Sequence, residues 1–390
     1  MTKNTEAFDK WIRSSFVEMN TELENMYFEQ EDRSVTVGTG DNIKVQIRDE
    51  GHGHIVKLGA EGNTDGGFMS AFDLLGNLGF YFASLRRHGL TNPDTETKSP
   101  YEEASALGLH LAASLGVTPR FATSHLATHN RAVDGVMKSF TSIEEEYFFL
   151  GYNTRGIFAY KRAADALTRI LPLGVSHPLT AVLLQNAKDA LKDVILYNKV
   201  LFDDLDVDRF FYSVRPYYKP FRVGDHIYRG ANAGDFSGIN EIDLLLGLCS
   251  AKDISYSQTL VDKMLFMMPE CQNRLRECMK QTPLMDEFLQ SADKSSDKPW
   301  FKENLSLFLE VCQLHGYSGA QHHNMLVKKY IEKPSTQLPQ EELAQVTASG
   351  PPLHVLLDSL SRLRDLRLAA KRDDIVTRYD DVARLTELVS

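Results

Sequence analysis

Residues 303–331 read ENLSLFLEVCQLHGYSGAQHHNMLVKKYI. Apolar residues recur here every three or four positions, the period of a helix with one buried face. At about 100° per residue, Leu305, Phe308, Cys312, Gly316, Gly319, His323 and Leu326 fall within about 40° of Tyr330. Glu303, Glu310, Gln313, Gln321, Asn324 and Lys328 fall on the other side. His323 therefore lies on the apolar stripe and His322 on its flank. A histidine on a core face loses hydration and needs a partner. Two glycines precede it on the same face, although glycine inside a helix costs about 1 kcal/mol relative to alanine. Gly316 and Gly319 leave a hollow for something flat and bulky, or they let a second helix approach; the periodicity leaves both readings open.

Outward from this segment the helical period repeats. It recurs in SIEEEYFFLGYNTRGIFAYKRAADALTRIL, PLTAVLLQNAKDALKDVILYNKVLF, INEIDLLLGLCS, YSQTLVDKMLFMMP and CQNRLRECMKQ. SPYEEASALGLHLAASLG adds a Ser-Pro entry and early glutamates, as helix starts do. The fold class expected is mainly α. The first hundred residues read differently. Val35 and Val37, then Ile43, Val45 and Ile47, alternate around GTGDN, which predicts a β-hairpin. A small mixed α/β N-terminal domain over 1–100 and a large helical domain over 101–390 are expected, joined through the polar stretch TNPDTETKSP. A second polar stretch, KPSTQLPQEELAQVTASGPP, precedes an amphipathic C-terminal helix.

Composition bounds the function. Hydrophobic residues make up 43% and charged residues 25% of the 390 residues, the balance of a soluble globular protein. The net charge of -10 argues against a general nucleic-acid or acidic-membrane surface. No apolar run has the length of a membrane span, and MTKNTEAFDKW lacks a signal-peptide core, so a cytoplasmic protein is expected. Cys249, Cys271, Cys278 and Cys312 have neither metal-ligand nor disulfide-framework spacing. His52 and His54 sit in a Gly-rich stretch. DDLDVDRFF lacks the glycine and final glutamate of a calcium loop. GTGDNI is not followed by a predicted helix, and GDFSG does not match the nucleophile-elbow spacing.

Two stretches carry chemistry. In FFYSVRPYY, Phe210 and Phe211 offer an apolar wall and Arg215 a fork for a carboxylate. YRGANAGDFSGINEIDLLLG is a small-residue run before a helix, whose backbone can approach a ligand closely.

Taken in order, these stretches resemble the indoleamine/tryptophan 2,3-dioxygenase superfamily of haem enzymes. Phe210, Phe211 and Arg215 match its Phe-Phe-x-x-x-Arg element. NAGDFS (Asn232 to Ser237) stands where that family has Ser-Ala-Gly-Gln-Ser-Ser, and IDLLLG follows. LVDKMLFMMPE resembles its segment ending in Tyr-Met-Pro. HNMLVKKYI fits its proximal H-x-x-x-V-x-K-Y-I context, which selects His323 over His322. LGVTPRFATSHLATHNR, YFFLGYN and TASGPPLHVLL resemble further family segments, and the likeness spans about residues 107–360.

The resemblance implies haem b with His323 as iron ligand and Asn232, Ala233, Gly234 and Gly319 near the cofactor. It implies Arg215, Phe210, Phe211 and Tyr152 as catalytic residues, Thr123, Leu126 and Ala127 lining the substrate pocket, and Pro351 on a mobile loop. O2 and a tryptophan-like indole would be the reactants. Four departures accompany it: Asn232 and Tyr152 replace serines, Pro351 a threonine, and Ala320 the arginine that pairs with a haem propionate. A haem site with altered distal and propionate contacts is similar to the bacterial branch that includes the pyrrolnitrin-pathway enzyme. The alternatives are a haem sensor or carrier without turnover, and a haem-free helical scaffold. Chain length and the apolar C-terminal helix permit a homo-oligomer.

Overall fold

The helix expected over the end of 303–331 begins at Pro299 and runs to Gln321, and an eleven-residue π-helix, His322–Glu332, continues it. Pro299 occupies the first turn, where its missing N–H costs nothing. The computed structural model describes residues 2–62, 66–232, 234–332 and 353–389.

Helices dominate. In order they are α1 Lys3–Ile12, α2 Ser15–Phe28, α3 Asp41–Glu61, α4 Phe68–Arg87, α5 Glu102–Leu115, α6 Thr123–Leu126, α7 Glu144–Thr168, α8 Leu179–Asp204 and α9 Val207–Arg209. After a short hairpin come α10 Gly238–Leu246, α11 Ile254–Met264, α12 Pro269–Cys278, α13 Leu284–Ser295, α14 Pro299–Gln321, α15 Leu353–Arg367 and α16 Tyr379–Glu387. The mainly α class expected from periodicity is the one found. None of the described helices is long and apolar enough to cross a membrane. Cys249, Cys278 and Cys312 are buried, Cys271 is half-buried, and all four are free thiols.

The N-terminal hairpin expected at 34–58 is corrected: most of that stretch is helix α3. Ile43, Ile47, Gly51, Ile55 and Leu58 are buried at helical spacing, whereas Val45 is 41% exposed. Three residues at alternate positions imitated a strand, but the longer run from 43 to 58 follows the helical period. Gly51 is required by packing, since a Cβ there would lie 2.3 Å from the Tyr81 ring. His54 is half-buried, stacking on Phe8 and leaning on Trp11, with ring centroids 5.6 and 5.7 Å away. The mixed α/β character expected of residues 1–100 is thus absent from its described residues. The sheet that is present pairs β1 Phe221–Val223 antiparallel with β2 His226–Tyr228, in register Phe221↔Tyr228. Its Gly224–Asp225 turn is a hairpin signal that the sequence carried.

The chain forms two compact units. The first comprises Met1–Gly151, Leu205–Asp235 and Tyr330–Leu353, so residues 1–100 fold with later segments. Its core is aromatic. Phe80 stacks on Phe121, Phe82 on Phe221 and Phe140 on Tyr217, at 5.8, 5.4 and 4.4 Å between centroids. Buried within it, Glu24 takes two hydrogen bonds of 2.7 Å from Arg87. The second comprises Tyr152–Asp204, Phe236–Lys329 and His354–Ser390. There α8 and α14 pack along much of their lengths, around Leu184, Leu191, Leu305 and Phe308.

Candidate functional site

In the first unit the stretch FFYSVRPYY is neither ordinary helix nor loop. Asp206 caps α9 by accepting from the Arg209 N–H at 2.7 Å. The chain then widens into a π-helix, Phe210–Val214, and tightens into a 3-10 turn, Arg215–Tyr218. π-helices are rare and are enriched at functional sites. Arg87 supports this one from the core, its guanidinium donating to the Tyr212 carbonyl at 2.9 Å while it stays paired to Glu24.

Phe210 and Phe211 are each 7% exposed, and Phe149 lies 4.7 Å from the Phe210 ring. The Arg215 guanidinium sits 5.5 Å from the centre of the Phe211 ring. Arg215 is 8% exposed, yet among the described residues no carboxylate lies within ion-pair range. Burial alone pulls its guanidinium down to about 10. Arg87, with Glu24 beside it, is shifted the other way. Arg215 is thus a desolvated cation facing no anion among the described residues.

A second part of this unit joins residues far apart in sequence. The Thr123 hydroxyl, at the start of α6, donates to the Asn232 carbonyl. The Asn232 side chain accepts from the Gly234 N–H at 2.9 Å, and the Asn232 N–H donates to Asp235 at 3.3 Å. Asp235 is forked by Arg229 at 2.7 and 2.9 Å, which stiffens the loop. Leu126 and Ala127 are buried beside Thr123 in sequence. Thr123 and Asn232 are therefore brought together as neighbours. Ala233 and Pro351 lie outside the described residues.

In the second unit the histidine pair divides as its helical angle predicts. His323 is 7% exposed and His322 is exposed. Both open the second π-helix, so the aromatic-arginine motif and the histidine pair coincide with the two π-helical segments among the described residues. Tyr152 is half-buried, under the Arg155 guanidinium at 4.7 Å and beside Tyr197.

The space beside the two glycines of α14 is filled. A Cβ on Gly316 would lie 2.7 Å from the Arg367 carbonyl oxygen, and one on Gly319 3.2 Å from the Arg367 side chain. Of the two readings of these glycines, close approach of another segment accounts for them. Arg367 belongs to a buried cluster that sequence reasoning missed. It forks Asp243 with two hydrogen bonds of 2.8 Å. His315 Nε2 is 2.7 Å from the same carboxylate, and the Tyr256 hydroxyl donates to it at 2.8 Å. Burial would raise the Asp243 carboxyl, but Arg367 and His315 outweigh it and hold it well below the usual range. His315 stands eight residues before His323, about 80° away on an ideal helix. A stripe centred on Tyr330 leaves it off-centre; burial of Gln321, whose amide donates to the Ile195 carbonyl at 3.0 Å, likewise shows a wider buried face.

The donor set bears on the cofactor. Among the described residues no group of three or more His, Cys, Asp or Glu could cage a metal ion. A single buried imidazole suits a metal whose other ligands come from a macrocycle, as in haem. His323 fits that requirement. A family model described as Monodechloroaminopyrrolnitrin synthase PrnB matches this chain over residues 2–389.

Proposed function

The chain belongs to the monodechloroaminopyrrolnitrin synthase PrnB family of enzymes, and from that premise we propose that it is a haem-dependent oxidoreductase acting with O2 on tryptophan or a tryptophan-derived indole. The observation that carries the proposal is the family match across nearly the whole chain. Membership of a synthase family favours oxidative rearrangement of the substrate over plain ring cleavage.

His323 is the residue proposed to hold the haem iron, with haem b as the form expected. Gly319 lies one turn before the ligand. When bound, haem supplies the redox chemistry with O2. The chain's residues supply position. Arg215 takes the substrate carboxylate, because a buried guanidinium without an anion gains most from an incoming one. Phe210 and Phe211 provide apolar surface for the indole. Thr123, Leu126 and Ala127 line the pocket. Exclusion of water strengthens the Arg215–carboxylate contact and holds the substrate in a single orientation.

The experiment is an absorbance spectrum of protein produced with a haem precursor. The parent and His322→Ala are expected to share one Soret band, and His323→Ala to lose or shift it. Equal haem spectra in the parent and His323→Ala would show that His323 is not the ligand.

A further inference from the structure

The 3-10 turn Arg215–Tyr218 holds two neighbouring tyrosines with opposite circumstances. The Tyr217 hydroxyl donates to the Asn20 side-chain carbonyl at 3.2 Å. The Tyr218 hydroxyl is buried and has no hydrogen-bond partner among the described residues. Tyr218 is 6% exposed, its ring packed 6.0 Å from Phe140 and 6.1 Å from Phe149. Phe149 in turn packs on Phe210, so Tyr218 shares the aromatic wall of the candidate site. A buried hydroxyl without a partner destabilises the fold, and such groups in native proteins call for an explanation.

The local geometry provides one. Side chains at i and i+3 of a 3-10 helix eclipse each other, so Arg215 and Tyr218 leave the turn from the same edge. Among the described residues, one is a buried cation without an anion and the other a buried hydroxyl without an acceptor. A single carboxylate satisfies both, since its two oxygens accept the guanidinium fork and still have lone pairs free for an O–H. We propose that the Tyr218 hydroxyl is a second donor to the substrate carboxylate, and that the Arg215–Tyr218 pair selects an amino acid over the corresponding amine. Burial pushes the phenol well above its ordinary range, so it remains protonated and meets an anion as a donor. The proposal rests on the reading of Arg215 as the carboxylate site.

The test is calorimetric titration of the full chain, produced with a haem precursor, using L-tryptophan and tryptamine, which lacks the carboxylate. Tyr218→Phe is expected to weaken L-tryptophan binding by about tenfold to a hundredfold, as loss of a hydrogen bond to a charged group does. Tryptamine affinity should stay unchanged, and the melting temperature should hold or rise, because the lost hydroxyl has no partner among the described residues. Unchanged L-tryptophan affinity in Tyr218→Phe overturns the proposal. So does an equal loss for both ligands, or a lower melting temperature, which would reveal a protein partner for the hydroxyl. Arg215→Gln separates the two readings. If it weakens L-tryptophan binding and Tyr218→Phe does not, the Tyr218 proposal falls and the Arg215 reading stands. If neither variant weakens it, or the parent does not bind L-tryptophan, both fall.

Discussion

Arg215 and Arg367 are both buried arginines, and their surroundings give them opposite energetic signs. Arg367 is forked to Asp243, so truncating it strands a carboxylate in the core, at a cost of about 3–5 kcal/mol. Arg215 strands nothing, because no carboxylate pairs with it among the described residues. Arg215→Met is therefore expected to raise stability, by on the order of 1–3 kcal/mol, while abolishing binding of carboxylate-bearing ligands. Thermal melts of Arg215→Met and Arg367→Met alongside the parent check this; a matching loss in both variants would sink the distinction. At this scale the sequence was only partly legible. The adjacent histidines could be told apart, since a helical angle depends on local spacing alone. That Arg215 lacks an anion among the described residues could not be read, since an anion could have come from any distant segment. Asp243, His315 and Tyr256 stayed unnoticed for the same reason: they meet across 72 and 13 residues of chain.

Among the elements, α14 shows how one residue type can serve two degrees of constraint. Gly316 faces the Arg367 carbonyl oxygen, which is backbone and cannot step aside; Gly319 faces the flexible Arg367 side chain. Gly316→Ala should lose more from the clash, about 1–3 kcal/mol, than the roughly 1 kcal/mol it gains in helix propensity. Gly319→Ala should be neutral or mildly stabilising. Urea denaturation of the two variants tests the contrast, and equal midpoints would contradict it. Helix α3 marks the limit of pattern reading. Its alternation over 43–47 lies inside a helix of 21 residues, and packing of Ile55 and Leu58 shows which period holds. The π-helices could not be foreseen either. A widened turn forms when outside partners satisfy its backbone, as Arg87 does for Tyr212, and that partner is 125 residues away.

Over the whole chain, the pH dependence of stability follows from which titratable groups are buried. His88, His125 and His315 are desolvated and held neutral, His125 down to about 3 against an ordinary 6.5. Below pH 6.5 the unfolded chain takes up protons that these imidazoles refuse, so they lower stability as pH falls. Burial raises Glu146 to about 7 and raises Glu24 as well. The Glu146 carboxyl keeps its proton when folded below about pH 7, so it raises stability as pH falls towards the ordinary glutamate value of 4.5. From pH 6.5 to about 4.5 the two trends offset each other in part. Below that the glutamate contribution is spent, and Asp243, paired well below its ordinary 3.8, joins the histidines in losing stability. The expected profile is shallow from pH 6.5 to 4.5 and steep below, by up to about 1.4 kcal/mol per pH unit for each group. Urea midpoints at pH 7, 5 and 3.5 measure it; a midpoint unchanged at pH 3.5 would refute the assignment.

Local spacing was enough to determine that this protein is mainly helical, that His323 is buried while His322 is exposed, and that an aromatic-arginine motif and a small-residue loop lie upstream. Each is a property of neighbours along the chain. Tertiary structure decided the rest: the helical state of 41–61, the neighbour that requires Gly316, the isolation of Arg215 and Tyr218, and the meeting of Thr123 with Asn232. The physical reason is that burial and partner choice depend on groups that only the fold brings together, and a periodicity of 3.6 residues carries no record of them.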